Sequence, residues 1–216
     1  MKWLLYDWGG WNVWLFYSIN NIYSDGLDKF MILGTKLGDH TNFVSYLSVM
    51  ILIAVIGVSR RGTEGSTQGE TAAQLGLASI AVFVFSFWLQ GEIIGWLKPA
   101  LDFPRPPLAL QGLQNSLHVV GTPEYHHSLP SGHATFAMLV GASFWTLLGR
   151  FRFLAIFFVL WVGVSRISLG MHFPADVMAG YLLSLTVVLM VRFVVMQVMT
   201  NGWPYLALFR TKESKD

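Results

Sequence analysis

Five stretches of this chain, 42–59, 71–97, 133–149, 151–168 and 176–199, are apolar almost throughout and carry few charges. A helix needs roughly 20 mostly apolar residues to cross a hydrocarbon core of about 30 Å, and each stretch meets that length or nearly so. The expected fold is therefore all-α: a polytopic transmembrane helix bundle with five clear spanning helices, and a sixth left open at the N-terminus. Composition agrees, with 54% of 216 residues hydrophobic and 12% charged, where a soluble domain carries about twice that charge. A formal charge of +2 gives no reason to expect a nucleic-acid partner. The chain has no cysteine, hence no disulfide framework and no thiolate metal site.

The first residues, "MKWLLYDWGGWNVWLFYSINN", do not read as a cleaved signal, because Asp7 interrupts the apolar run and no small-residue cleavage site closes it. Tryptophans at 3, 8, 11 and 14 are rings that settle at a bilayer interface. The expected organisation is an interfacial N-terminal helical segment over 1–41, a transmembrane catalytic domain over 42–200 and a cytoplasmic tail over 201–216. Arg60, Arg61, Arg150, Arg152, Arg210, Lys212 and Lys215 fall on one side of the bundle. By the positive-inside rule that side is cytoplasmic. The long 98–132 loop and the 165–175 connection then face the other side, the periplasm if the host is a bacterial inner membrane.

Three clusters share that outer side. They are "KPALDFPRP" with Lys98 and Arg105, "PSGH" at 130–133, and "SRISLGMHFPAD" with Ser165, Arg166, His172 and Asp176. Each has a plain reading alone: snorkelling charges at a helix end, a turn that starts a helix, a polar pair capping the last helix. Arg166 is harder to set aside, since an ionisable residue near the membrane boundary is a functional candidate.

Together the clusters describe a phosphate site. Lys98, Arg105 and Arg166 supply positive charge, two of them as guanidinium forks that match phosphate oxygens. Ser131 and Gly132 lead into a helix start whose N–H groups favour an anion, and the Ser131 hydroxyl can donate to it. His172 and Asp176, four residues apart, can pair so that the carboxylate fixes the ring tautomer and frees the other nitrogen to attack. His133 is then the acid for the leaving oxygen. No Asp/Glu/His arrangement suggests a binuclear metal site, so charge stabilisation falls to the basic residues.

Lys98 to Pro106 fits K-x6-RP, 130–133 is PSGH, and 165–176 fits SR-x5-H-x3-D. This three-part signature resembles that of the type 2 phosphatidic acid phosphatases, the PAP2 superfamily of membrane lipid phosphatases, over about 80 residues. The resemblance implies a phosphohistidine on His172 oriented by Asp176, protonation of the leaving group by His133, and phosphoryl binding by Lys98, Arg105, Ser131, Gly132 and Arg166. It also implies no metal and no cofactor, and usually a six-helix core. Expected partners are a lipid phosphate and the bilayer, with no nucleic acid; the oligomeric state is left open. Undecaprenyl diphosphate and phosphatidylglycerol phosphate are favoured on how common those activities are.

Weaker signals remain. His118, Glu124, His126 and His127 sit in the 98–132 loop and read mainly as solvated or structural, with tuning of the headgroup or adventitious metal binding as the alternative. "TKLGDH" (35–40) reads as a turn, with no chemistry assigned to Asp39 or His40. Rival functions are a phosphotransferase using the same residues, a vanadate-dependent haloperoxidase, and a non-enzymatic transporter or binding protein for a phosphorylated lipid. The last gives no role to two histidines and a carboxylate.

Overall fold

The computed structural model describes residues 6–63, 65–112 and 117–210. Lys2, Lys212, Lys215 and residues 211–216 of the expected tail lie outside the described residues, as does Trp3. Eight α-helices follow one another: α1 (Trp11–Asn20), α2 (Asp25–Leu37), α3 (Phe43–Gly62), α4 (Ser66–Leu101), α5 (Pro106–Ala109), α6 (Gly132–Phe144), α7 (Arg152–Ser168) and α8 (Pro174–Arg210). Among the described residues no strand interrupts them.

Among the described residues four segments are long and apolar enough to cross a membrane: His40–Gly62, Gly69–Ala109, Gly149–Ser168 and Pro174–Met199. They cover four of the five expected stretches. The fifth is shorter than expected. α6 has 13 residues, a rise of about 20 Å against a hydrocarbon core of about 30 Å. It is the central helix, packed against α4, α7 and α8, and most of its side chains, from Ala134 to Phe144, are buried in protein. Its apolarity is that of a core helix, which the sequence pattern does not separate from a lipid-facing one. The last helix also passes the expected boundary at residue 200, since α8 continues to Arg210.

The core explains the order of the helices. Met50 from α3, Phe83 from α4, Phe136, Leu139 and Phe144 from α6, and Val188 from α8 form one buried cluster. A second cluster ties the N-terminal segment to the catalytic end, with Phe16 of α1 against Ala134, Ile167, Phe173 and Val177. α1 and α2 have 10 and 13 residues, too few to cross a bilayer alone. They lie against the bundle instead.

Local chemistry sets those contacts. Asn12, buried, accepts the Ala175 N–H at 2.9 Å and so caps the start of α8. Asn20 donates to the carbonyls of His118 (2.7 Å) and Ser168 (2.9 Å). Gly34 of α2 and Gly38, the residue that caps its C-terminus, stand four apart on one face. A Cβ on Gly34 would meet the Trp161 ring at 2.8 Å, and one on Gly38 would collide with Val162. The small-xxx-small pair therefore lets α2 lie close on α7.

Candidate active site

The three sequence clusters converge at one end of the bundle. Lys98 lies in the last turn of α4 and Arg105 just before α5; His133 opens α6, Arg166 closes α7 and Asp176 enters the first turn of α8. The α7–α8 connection carries His172. Gly170 makes that connection possible: its φ is +73°, and a Cβ there would run into the His118 carbonyl. The Met171 and His172 N–H groups then both bond back to the Arg166 carbonyl, at 3.0 and 3.1 Å, so the arginine and the histidine share one turn.

His172 is buried, and its two ring nitrogens face different partners. Nδ1 is 3.3 Å from Asp176 Oδ2, and Nε2 is 3.3 Å from Arg105 Nη1. Asp176 is held from several sides. Its Oδ2 accepts the Phe173 N–H at 2.8 Å and the Ser128 hydroxyl, and its Oδ1 accepts the Tyr6 hydroxyl at 3.0 Å. A carboxylate so surrounded cannot rotate away from the imidazole. Burial, followed by the Asp176 carboxylate, pushes the Tyr6 phenol upward, so Tyr6 stays a donor at any working pH. Burial holds His172 well below the ordinary value of 6.5, and the nearby charges of Arg166, Arg105 and Lys98 act in the same direction. The imidazole is thus neutral at physiological pH, the state a nucleophile needs.

The cations are positioned by backbone and by a few side chains. Arg105, almost fully buried, donates Nε–H to the His126 carbonyl at 3.0 Å, and its Nη2 pairs with the exposed Glu124 carboxylate. The Arg166 Nη1 donates to Thr35 Oγ1 at 3.4 Å. Its Nε is buried and has no hydrogen-bond partner among the described residues, an arrangement that an anion would complete. Ser131 immediately precedes α6. It is wholly buried and its Oγ accepts from the Ala134 N–H as the cap of α6, while its own N–H bonds to the Asp176 carbonyl at 3.0 Å. Its hydroxyl proton is the part left for a ligand. Gly132, half-buried beside it, is open to a cavity of about 310 Å³ between α4 and α6. Lys98 lines the same cavity, along with Phe87, Gly91, Ile94, Gly95 and Phe136.

Other residues of the 98–132 loop do structural work. His118 pairs with Asp28 of α2 at 3.1 Å and stacks on Tyr23. His126 and His127 both reach Asp102 Oδ1, at 3.3 and 3.2 Å. Glu124 is the exception, because it occupies Arg105. Tyr6, Thr35, Asp39 and Ser128 belong to the site and were not singled out for it in the sequence. Asp39, to which the sequence assigned no chemistry, lies 3.7 Å from His133 Nε2. The Gly34-x3-Gly38 pair is the signal that would have placed α2 beside α7, and Thr35 and Asp39 with it.

A sequence profile described as the PAP2 superfamily matches residues 77–201. The chain belongs to the PAP2 superfamily. Among curated PAP2 relatives, a lipid A 1-phosphatase of Rhizobium johnstonii is 35% identical over 138 residues, covering 61% of this chain and 57% of that protein. A lipid A 1-phosphatase of Rhizobium etli is 34% identical over 83 residues, 36% of each chain. The alignments therefore span 57% and 36% of those relatives' lengths. Two solved structures share the PAP2 fold. The crystal structure of Aquifex aeolicus LpxE has a TM-score of 0.62 at 20% identity, covering 83% of this chain and 93% of the other. A transmembrane PAP2-type phosphatidylglycerolphosphate phosphatase from Bacillus subtilis has a TM-score of 0.62 at 19% identity, covering 89% and 88%. The chain is an integral membrane member of this superfamily.

Proposed function

We propose that this protein is a membrane lipid phosphatase that hydrolyses a lipid mono- or diphosphate through a phosphohistidine on His172. The observation that carries the reading is the buried, neutral His172, held by Asp176 through Nδ1 and set against Arg105 at Nε2. In the first step Nε2 forms a bond to phosphorus while the bond to the lipid oxygen breaks, and His133 gives that oxygen a proton. In the second step a water loses a proton to His133 as its oxygen bonds to phosphorus. The P–N bond breaks and phosphate leaves. Arg105, Arg166 and Lys98 balance the charge on the equatorial oxygens, where preorganised donors act most strongly. Glu124 holds Arg105 until a phosphate replaces it. No step in this scheme requires a metal.

The cavity between α4 and α6 supports a lipid substrate: its wall is mostly apolar, and it ends at Lys98 and Gly132. The headgroup phosphate sits in the cradle and the first part of the tail follows α4. Placement of the site on the periplasmic face of an inner membrane rests on Arg60 and Arg61 at the end of α3 and on Arg150 and Arg152 at the start of α7, whose other end carries Arg166. Undecaprenyl diphosphate and phosphatidylglycerol phosphate remain preferred substrates, and the relatives add a lipid A phosphate to the panel.

The test is phosphate release by purified protein from those lipids and phosphatidic acid, with EDTA present. Wild type is expected to release phosphate, and His172→Ala to lose at least about 1,000-fold while remaining folded, since removing a nucleophile removes the chemical step. Near-normal release by His172→Ala, or activity that EDTA abolishes and Mg²⁺ restores, would overturn the mechanism. Transfer of labelled phosphate to a second lipid in place of water would make the protein a phosphotransferase.

A further inference from the structure

The N-terminal segment brings a second carboxylate to the site, outside the stretch that the PAP2 profile matches. Asp39 follows α2, and three contacts fix where that helix ends. Asn42 donates to the Lys36 carbonyl at 2.7 Å, Tyr46 donates to the Leu37 carbonyl at 3.0 Å, and the glycine face packs α2 on α7. Asp39 Oδ1 accepts both the N–H and the hydroxyl of Thr41, each at 2.8 Å. Its other oxygen, Oδ2, is thereby aimed at His133 Nε2, 3.7 Å away. The remaining charged groups facing His133 are Arg166 from α7, Lys98 from α4 and His40 from the turn after Asp39. None of these favours a proton on His133. Asp39 is the one neighbour among them that does. Burial, followed by the Arg166 charge, pushes the ring down to about 3 in the free site, so the proton it donates depends on the anions brought beside it, the substrate phosphate and Asp39.

We propose that Asp39 is the positioning residue for His133, so that each histidine of the site is backed by its own carboxylate, Asp176 for His172 and Asp39 for His133. The inference rests on the function proposed above, in which His133 protonates the leaving oxygen. With Nε2–H directed to Asp39, the proton delivered to the lipid oxygen is the one on Nδ1. Burial alone would raise the Asp39 carboxyl, but the two hydrogen bonds from Thr41, with His133 and His40 nearby, bring it below its ordinary value. Asp39 is therefore anionic whenever the enzyme works.

The leaving group separates this role from a structural one. An alkoxide needs a proton as it departs, whereas an aryl oxide leaves without one. Phosphate release is measured for wild type and Asp39→Asn on two monophosphates with the same tail, one an alkyl and one an aryl ester, across pH 5 to 9. For the alkyl ester, Asp39→Asn is expected to lower kcat/KM about 10- to 100-fold, the usual loss on removing a carboxylate that orients an imidazole. The alkaline limb of the kcat profile, which reports the substrate-bound state, should also move about one pH unit toward acid, because His133, with the phosphate beside it, loses its second anionic partner. For the aryl ester the loss should be about 3-fold or less. Equal losses on both esters with an unmoved profile would make Asp39 structural and overturn the inference while leaving the phosphatase standing. Wild-type rates in Asp39→Asn would do the same. No release by wild type from either ester would remove the proposed function and this inference together.

Discussion

His172 is held by a carboxylate and surrounded by cations, and those neighbours pull its protonation in opposite directions. The cations and burial win, so the folded imidazole binds a proton only well below 6.5. An unfolded chain protonates the same residue at its ordinary value. Between those two values the unfolded state carries a proton that the native state refuses. Stability is therefore fully present above about pH 6.5 and is lost as pH falls, by up to about 1.4 kcal/mol per pH unit for this one group. Thermal midpoints in detergent from pH 7.5 to 5 should fall more steeply for wild type than for His172→Gln, which has no ring to protonate. Equal slopes would mean that His172 titrates normally and that its cationic surroundings are offset by Asp176. The neutral ring also means that the acid limb of activity belongs to another group, with phosphate oxygens the first to consider.

At the scale of elements, α2 sets the position of the acid side of the site. Gly34 and Gly38 face Trp161 and Val162 of α7 with no room for a side chain, and Thr35 between them touches both Arg166 and Ser165. Gly38→Leu should force α2 off α7, costing about 1–3 kcal/mol through overpacking and moving Thr35 and Asp39 together. The expected result is a thermal midpoint lowered by several degrees and phosphate release lowered in parallel. Asp39→Asn, by contrast, should leave the midpoint near that of wild type. A Gly38→Leu protein with unchanged midpoint and rate would show that the α2–α7 contact is not what holds Asp39.

At the scale of the whole molecule a polar cradle adjoins a mostly apolar cavity, the pairing that the proposed lipid phosphate requires. Gly91 and Gly95 form part of the cavity on α4, and a Cβ at either position meets nothing within 4 Å. Gly95→Leu therefore brings a side chain to the cavity wall with no clash at its Cβ, and in a helix interior leucine is the better helix former. Its rate on a long-tailed lipid phosphate is expected to fall at least about 10-fold, with little change on a short-chain phosphate, since only the tail uses that space. Equal rates on both would place the tail elsewhere. The same assembly explains why residues 6–39 matter although no helix there is long enough to cross a membrane: they cap α8 through Asn12, brace Asp176 through Tyr6 and reach His133 through Asp39.

The amino-acid sequence alone determined the helical membrane fold and the superfamily, because hydrophobic run length and the spacing of Lys98, Arg105, Pro130 to His133, Arg166, His172 and Asp176 are local properties of the chain. For that reason four of the apolar runs form helices long and apolar enough to cross a membrane. Tertiary structure decided the rest. Whether an apolar run faces lipid or protein depends on its neighbours, so 133–149 became a short central helix. That the Ser131 Oγ accepts the Ala134 N–H depends on where α6 starts. Asp39, Tyr6 and Ser128 carry no motif, and each joins the site through a contact between segments distant in sequence. Such contacts are set by packing, as when two glycines let α2 approach α7, and not by the pattern of the residues they bring together.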